Sequence, residues 1–267
     1  MSKQDYDLAA TASLPGLHLV GTVTRRFLIS YPVPPETLAA AAPPGAELSV
    51  HGGAAWVSAC FVNIVGMRPS PAPKWMGLEF NYLIHRTRAR LPYPDGKLRE
   101  SVLILEANID RPLLGTLARW STGVRFNVRD ITLTEAQDSW ELRMESAGET
   151  LYEAEIGKPS ISTQLAPSSR FGSAGDADDF LLGVSYGADW QPGSGAIRLL
   201  AETHDPWDTL VGTCQTKRHA FLESRGFTAP EADHVITMTD IPHYFALRGI
   251  PVTCVDPQEE CSGSREG

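Results

Sequence analysis

One glutamate of this 267-residue chain lies inside a strongly apolar run, and it is the first candidate for chemistry. Glu106 follows the letters VLIL and precedes an alanine. A carboxylate buried in such a strand loses several kcal/mol of hydration unless a cation or a wet cavity compensates. Two interpretations stay open. Glu106 is either a structural carboxylate paired with Arg25 or Arg125, or a general acid or base whose pKa rises in a dry pocket.

Two histidines lie where a proton could be transferred. His85 follows Glu79 by six residues in a predicted strand, and this even spacing places both side chains on one face. They form either an acid–base pair across a pocket or a row of surface side chains. His204 ends another predicted strand, just before the letters DPW. It is either a catalytic group at the mouth of a barrel or a capped structural histidine.

The elements that must position these residues are mostly β-strands. Apolar and β-branched runs predict strands over residues 19–31, 54–67, 78–90, 98–108, 124–133, 139–145, 151–156, 180–190 and 196–204. Short helices are predicted at 35–42 and 111–120, each with a proline near its start. The run over 54–67 is too apolar for a half-solvated strand, so we expect both of its faces to be covered. Residues 160–179 predict a long loop, either a lid over a pocket or a passive excursion.

Composition and charge exclude several kinds of partner and set the domain organisation. The net charge is −9 and no basic run exceeds a pair, which argues against nucleic acid and anionic membranes. The chain has no long apolar run and no signal-peptide pattern at its start, so we expect a cytoplasmic protein. We predict one mainly β domain over residues 17–255, a flexible segment over 1–16 and a disordered tail over 256–267.

The motifs of common cofactor enzymes do not occur in the sequence. There is no GxGxxG, P-loop, HExxH or nucleophile elbow, and the four cysteines form no CxxC or Cys–His spacing. Glu202, His204 and Asp205 could contribute to a metal site, but no convincing further ligand follows from the sequence. We therefore predict a protein without cofactor or metal.

Three longer stretches carry a family resemblance. They read RRFLISYPVPPETL, LILEANIDRPLLGTLARWSTGVRFNVRDI and DDFLLGVSYGADWQPGSGAIRLLAETHDPW. Together, over about residues 25–210, they resemble the acetoacetate decarboxylase-like superfamily, most closely its YqjF-like branch; the sequence from residue 211 onward fits less well. The resemblance implies a closed, cone-shaped β-barrel around a small-molecule pocket, with the helices packed outside.

The same resemblance suggests roles for individual residues. Arg25 lies at about the place of a substrate-binding arginine and could clamp a carboxylate or an enolate oxygen. Arg125 and Phe126 follow the glycine turn of the second stretch, and Trp207 ends the third. They are further candidates for substrate binding, beside Glu79 and His85.

The chain departs from the decarboxylases at their lysine, which forms a Schiff base with the substrate ketone. After the glycine turn this sequence reads VRFN, without a lysine. Arginine cannot replace it, because a guanidinium is effectively never deprotonated. Lys158, between a glycine and a proline, is the remaining candidate for an amine catalyst, whereas Lys74 and Lys97 lie in predicted loops.

Three hypotheses about function follow. The first is a cofactor-independent enzyme that acts by acid–base chemistry and enolate stabilisation, with Glu106, Arg25 and His204 as catalytic residues. Its substrate would be an apolar β-keto or polyketide-like molecule with a carbonyl or carboxylate, and its reaction a cyclisation, dehydration, isomerisation or carbon–carbon cleavage. The second is a non-catalytic barrel that binds a small molecule. The third is an acetoacetate-type decarboxylase that uses Lys158. The oligomeric state stays open, a homo-oligomer included.

Overall fold

The computed structural model describes residues 18–69, 71–92, 97–122, 124–159, 165–184, 186–191, 196–201, 203–204, 208–228, 230–246 and 249–253. Its strands are β1 (His18–Val33), β2 (Glu47–Leu48), β3 (Ala55–Pro69), β4 (Leu78–Pro92), β5 (Leu98–Ile109), β6 (Asn127–Val128), β7 (Asp130–Glu135), β8 (Ser139–Ser146), β9 (Glu149–Gly157), β10 (Tyr186–Gln191), β11 (Ala196–Ala201), β12 (Thr203–His204), β13 (Leu210–Val211), β14 (Thr213–His219), β15 (His234–Ala246) and β16 (Gly249–Thr253). The helices are α1 (Glu36–Ala39), α2 (Pro112–Thr122), α3 (Ala174–Leu181) and α4 (Ala220–Glu223), and a 3-10 turn spans Lys74–Met76.

The strands form two sheets. The larger sheet has the order β12-β15-β1-β3-β4-β5-β10-β11-β16, and the smaller has the order β14-β9-β8-β7. Most neighbours are antiparallel, while β5 pairs in parallel with β10 and β6. The prediction of a mainly β protein with few helices is confirmed. In the described ranges, no helix is long and apolar enough to cross a membrane.

The larger sheet is covered on both faces, as the apolar run of β3 predicts. Because successive side chains of a strand point to opposite faces, Phe61 packs into a core between the two sheets, while Cys60 packs into a second core on the other face. Phe27 connects the two sheets: its ring stacks on Phe61 at 5.7 Å and lies 5.1 Å from the Trp140 ring of the smaller sheet. This first core holds the candidate site.

Several element bounds differ from the prediction. The predicted loop over 160–179 contains the start of α3, which Ser173 caps by accepting a hydrogen bond from the Asp176 N–H at 3.1 Å. The strand predicted over 180–190 therefore begins only at Tyr186. The strand predicted over 124–133 is divided into β6 and β7, and the helix over 35–42 is reduced to α1. The predicted terminal segments 1–16 and 256–267 lie outside the described residues.

Candidate active site

The structure brings together two of the predicted residues, His85 and Glu106, on neighbouring strands. They are directly opposed in the β4–β5 ladder, beside a register shift. The His85 Nδ1 atom lies 3.8 Å from the Glu106 Oε1 atom. The imidazole is 1% exposed, whereas the Glu106 side chain is 32% exposed. The carboxylate is therefore the part of the pair that a ligand can reach, and the imidazole lies behind it.

Glu106 is held in its ionised form. Burial alone would raise its pKa, but His85, the Asn108 side chain and the charge of Arg129 lower it to about 2. The Asn108 Nδ2 atom donates a hydrogen bond to Glu106 Oε1 at 2.8 Å, and Asn108 Oδ1 accepts one from Asn127 Nδ2 at 3.3 Å. The pKa of Glu106 is therefore lowered, whereas a dry pocket alone would raise it. The reason is that the His85 imidazole and the Asn108 amide stabilise the buried carboxylate.

Phe221, which lies in α4, packs against His85. The two rings are 4.5 Å apart and within 9° of parallel. The guanidinium carbon of Arg225 lies 3.7 Å over the same phenyl ring. His219 precedes the helix, and its Nδ1 atom accepts a hydrogen bond from the Leu222 N–H at 3.4 Å. The His85 ring and the Arg225 guanidinium thus lie on opposite faces of the Phe221 ring, and the ring of His219 lies 5.0 Å from that of His85.

A buried pair of tyrosines extends the site into the core. The hydroxyl groups of Tyr31 and Tyr152 are 3.0 Å apart, and Tyr31 also contacts the Thr216 hydroxyl at 2.8 Å. Burial raises the pKa of both phenols and raises the pKa of the Cys214 thiol to about 11. These groups stay neutral at physiological pH, so they contribute hydrogen bonds and shape rather than charge.

His219 makes the stability of the fold depend on pH. It is fully buried, and its pKa falls to about 2, mainly by burial and also by the neighbouring His85 and Arg225. Because this pKa lies below the ordinary value of 6.5, the unfolded chain binds the proton first. The stabilisation is therefore complete above pH 6.5 and is lost as the pH falls below it.

We expect His219→Asn, which keeps an acceptor for the helix cap, to reduce this loss. Between about pH 6 and 5, the free energy of unfolding of the wild type falls as His219 becomes protonated in the unfolded chain. The slope for the variant should be smaller than the wild-type slope by about 1.4 kcal/mol per pH unit. Urea unfolding at several pH values measures the slope, and the control is His51→Asn, at a histidine whose side chain is 26% exposed. Identical slopes in His219→Asn and the wild type would show that His219 titrates normally.

The remaining predicted residues lie away from this pair or outside the described part. Arg25 Nη2 lies 3.9 Å from Glu135 Oε2, and its guanidinium lies 5.8 Å over Trp140. Glu79 and Arg125 are exposed, and Glu79 precedes His85 by six residues on the same strand, about 20 Å along an extended chain. The group beside Glu106 is thus His85 rather than Arg25 or Arg125.

The structure describes Phe126 fully, His204 by its backbone and Trp207 not at all. Phe126 packs against the second core, on the face of the larger sheet that is opposite the pair. The backbone of His204 pairs with that of His243 in the β12–β15 ladder. The side chain of His204 and the whole of Trp207 lie outside the described residues. Their roles in substrate binding and catalysis stay predictions.

Lys158 is engaged in an ion pair at the surface. Its Nζ atom lies 2.8 Å from Glu135 Oε1 and 5.5 Å from the centre of the Trp140 ring. A Schiff-base lysine requires a buried, unpaired amine, whereas the Lys158 side chain is 30% exposed and paired with a carboxylate. Among the described lysines, none is buried.

The sequence did not indicate four residues of the site: Tyr31, Tyr152, His219 and Arg225. His219 and Arg225 lie in the letters HAFLESR, in the part that fitted the resemblance less well. In the described residues, no three histidine, cysteine, aspartate or glutamate side chains converge on a point where a metal ion could bind. Glu202 and Asp205 lie outside these residues.

Comparison with known proteins gives a family and a fold. The model of the family DUF2071, described as an uncharacterized conserved protein (COG2071), matches residues 22–241. This range extends past the predicted resemblance and includes His219 and Arg225. No curated protein sequence matches the chain.

Three solved structures illustrate the fold. One is the enduracididine biosynthesis enzyme MppR, complexed with the condensation product of pyruvate and imidazole 4-carboxaldehyde. It is 16% identical over 90% of each chain, with a TM-score of 0.62. The second, an acetoacetate decarboxylase-like enzyme from Sphingomonas wittichii RW1, is 14% identical over 90% of this chain and 94% of the other, with a TM-score of 0.60. The third, an acetoacetate decarboxylase from Legionella pneumophila, is 15% identical over 92% and 94%, with a TM-score of 0.58. At these identities the likeness shows a common fold.

Proposed function

The chain belongs to the DUF2071 family, and we propose that it is a cofactor-independent enzyme that forms an enolate from a small carbonyl compound. The observation that carries the proposal is the contact of Glu106 with His85, at 3.8 Å across the β4–β5 ladder. A reachable carboxylate backed by a buried imidazole is an arrangement suited to moving one proton. We place this chemistry in the cytoplasm.

The pair works as a unit. When the imidazole is neutral, the Glu106 carboxylate removes a proton from the carbon next to the substrate carbonyl. The C–H bond breaks, its electron pair moves to the carbonyl oxygen as an enolate, and the proton is shared with His85. The buried imidazolium then balances the ionised carboxylate. Return of the proton to another atom of the enolate gives isomerisation, loss of a β-hydroxyl group as water gives dehydration, and attack of the enolate carbon on a second carbonyl gives cyclisation. The reverse of that attack breaks a carbon–carbon bond, and the enolate that it releases then takes up the proton.

The family fold supports a substrate of this kind. MppR, which shares the fold, has been solved in complex with pyruvate, and pyruvate has an enolisable methyl group. The acetoacetate decarboxylase-like structures carry the same architecture. For this chain we therefore propose a small, partly apolar substrate with a carbonyl or a carboxylate.

We also propose that the larger sheet closes into a cone-shaped barrel. The register of β11 with β16 runs from Ala196 opposite Thr253 to Leu200 opposite Gly249. The next strand along the chain, β12, continues in the same antiparallel sense, with Thr203 opposite Tyr244 of β15. One end of the strand order is the pair β11–β16, and the other end is the pair β12–β15. Since β12 directly follows β11 and β16 directly follows β15 along the chain, the two ends are joined by the same two chain segments. This continuity supports a closed sheet with one interior.

A lysine-independent mechanism predicts that no imine forms. With pyruvate and sodium cyanoborohydride, we expect the mass of the intact protein to stay unchanged, because the described lysines are exposed or paired with carboxylates. Mass spectrometry measures this directly, and an acetoacetate decarboxylase serves as the positive control. A reduced adduct on Lys158 would contradict the mechanism and favour a decarboxylase.

A non-catalytic barrel that binds a small molecule is the second candidate. The burial of His85 favours it, because a ligand then contacts Glu106 without touching the imidazole. Such a protein would bind carbonyl compounds without exchanging their acidic protons with solvent. Proton exchange therefore separates the two candidates.

A further inference from the structure

The hairpin that joins β3 to β4 presents an exposed tryptophan. Trp75, in the 3-10 turn Lys74–Met76, is 83% exposed, the largest exposed fraction of any large apolar residue that the structure describes. Met76 and Leu78, the first residue of β4, are exposed as well. Together, Trp75, Met76 and Leu78 form the tip of this hairpin. A cluster of exposed apolar side chains on one turn is typical of an interaction surface.

The chain around the tip holds it in one arrangement. Arg68 donates hydrogen bonds to the Ala72 carbonyl and to the Gly66 carbonyl, both at 3.0 Å, and so ties the loop to β3. Gly77 lies so close to Gly66 that a Cβ atom at Gly77 would be 2.6 Å from the Gly66 Cα atom. A loop that is already ordered loses little conformational entropy on binding, so the tryptophan is presented ready for docking.

The apolar surface continues from the tip toward α2. Arg111, just before this helix, donates a hydrogen bond from Nε to the Glu79 carbonyl at 3.3 Å, which brings the start of α2 beside the start of β4. Leu113 of that helix is exposed. Trp75 alone exposes about 200 Å², and a standard interface buries about 800 Å² on each partner. With Leu113, the tip therefore supplies a large part of the apolar core of such an interface.

Two exposed side chains of opposite charge flank the tip in the chain, and neither has a partner among the described residues. Lys158 and Lys217 form ion pairs, whereas Lys74 contacts no described carboxylate. Glu79 directly follows Leu78, and its carboxylate contacts no described cation. In a two-fold symmetric dimer, residue i of one copy meets residue j of the other. Lys74 of each copy can therefore pair with Glu79 of the other copy.

We infer that the tip is the interface of a homodimer, in which two copies of this chain dock end to end around a two-fold axis. The apolar side chains of the two tips form the core of the interface, and the pairs of Lys74 with Glu79 lie at its rim. The net charge of −9 makes two copies repel each other over most of their surface. Association is therefore restricted to a place where the charges balance. A patch that carries its own complementary charges fits a second copy of itself.

Sedimentation velocity of the full chain over a range of concentrations measures the Kd of the dimer. We expect the wild type to dimerise, and Trp75→Ser to raise the Kd by at least about thirtyfold, because a few central aromatic side chains dominate the energy of an interface. Leu210→Ser is the matched control. Leu210 is exposed in β13, away from the tip, so its variant should dimerise as the wild type does.

Charge reversal tests the two-fold pairing while Trp75 stays in place. Lys74→Glu and Glu79→Lys should each weaken the dimer roughly tenfold, since like charges then face each other across the interface. The double variant, Lys74→Glu with Glu79→Lys, restores two pairs of opposite charge, and its Kd should return close to that of the wild type. Thermal unfolding of each variant shows whether the fold is intact.

A wild type that stays monomeric at every concentration overturns the inference, as does a dimer that Trp75→Ser leaves unchanged. A double variant that dimerises as weakly as the single variants overturns the two-fold pairing of Lys74 with Glu79. Sedimentation of the wild type with phosphatidylglycerol vesicles tests a lipid surface as the other occupant of the tip. Vesicle binding by a monomer, abolished in Trp75→Ser, would assign the tip to a membrane and refute the homodimer.

Discussion

Glu106→Gln is expected to lower the rate of enolate formation by roughly 10²–10⁴-fold, the usual contribution of a positioned acid–base group. Glutamine keeps the shape and a carbonyl oxygen that can accept the Asn108 N–H bond, now 2.8 Å from Glu106. It cannot accept the substrate proton. The measurement is the incorporation of deuterium into the methyl group of pyruvate in D2O, followed by NMR.

Stability separates a catalytic role of Glu106 from a structural one. Glu106→Gln should lower the melting temperature only moderately, because it removes the charge that His85 and Arg129 stabilise but keeps the shape of the side chain and the acceptor for Asn108. Glu100→Gln, on the same strand and paired with Arg88 at 2.8 Å, is the matched control and should exchange at the wild-type rate. A variant at Glu106 that melts several degrees lower and keeps its exchange rate would identify the carboxylate as structural.

His85→Phe is expected to reduce the same exchange rate by a similar factor of roughly 10²–10⁴. The reason is that the imidazole takes the proton from Glu106, so removing either partner disables the pair. The two effects should not multiply: the double variant with Glu106→Gln should be about as slow as the slower single variant. The exchange rates of the wild type, the two single variants and the double variant form a double-mutant cycle, which measures the coupling between Glu106 and His85.

The folding of His85→Phe should be intact. Neither imidazole nitrogen makes a contact of hydrogen-bond length, so an apolar ring loses only the 3.8 Å contact with Glu106 and still stacks on Phe221. His51→Phe is a control for a histidine that stacks on Phe171 at 4.7 Å on the other face of the larger sheet. Fully multiplicative rate losses at His85 and Glu106 would mean that the two groups act independently.

Local sequence patterns predicted the strands well where one or both faces are apolar. The run of β3 was expected over 54–67 and is found at Ala55–Pro69. The sequence does not predict the helix α3, because its letters AGDADDFL have few helix-favouring residues. It forms because Leu181 and Ala177 pack against the second core, and because Arg88 donates hydrogen bonds to the carbonyl groups of Asp179 and Phe180 at its end. Those contacts are tertiary and leave no local signal.

The residues of the candidate site also differ in whether the local sequence reveals them. Glu106 was identified because a charge inside an apolar strand requires compensation, a local property of the sequence. Its partner could not be identified, because the opposition of His85 and Glu106 depends on the β4–β5 register and on an irregularity beside it. His219 and Arg225 follow more than a hundred residues later, and only the pairing of β14 with β9 brings their segment to the site.

The exchange of the pyruvate methyl protons with D2O by the wild-type protein tests the central claim most directly. A lysine-independent enolising enzyme should deuterate pyruvate well above the rate in buffer, and equally fast after treatment with pyruvate and cyanoborohydride. Exchange that disappears after this treatment would show an imine mechanism. The absence of exchange, in a protein that still binds pyruvate, would show that the site at Glu106 and His85 is a binding site alone.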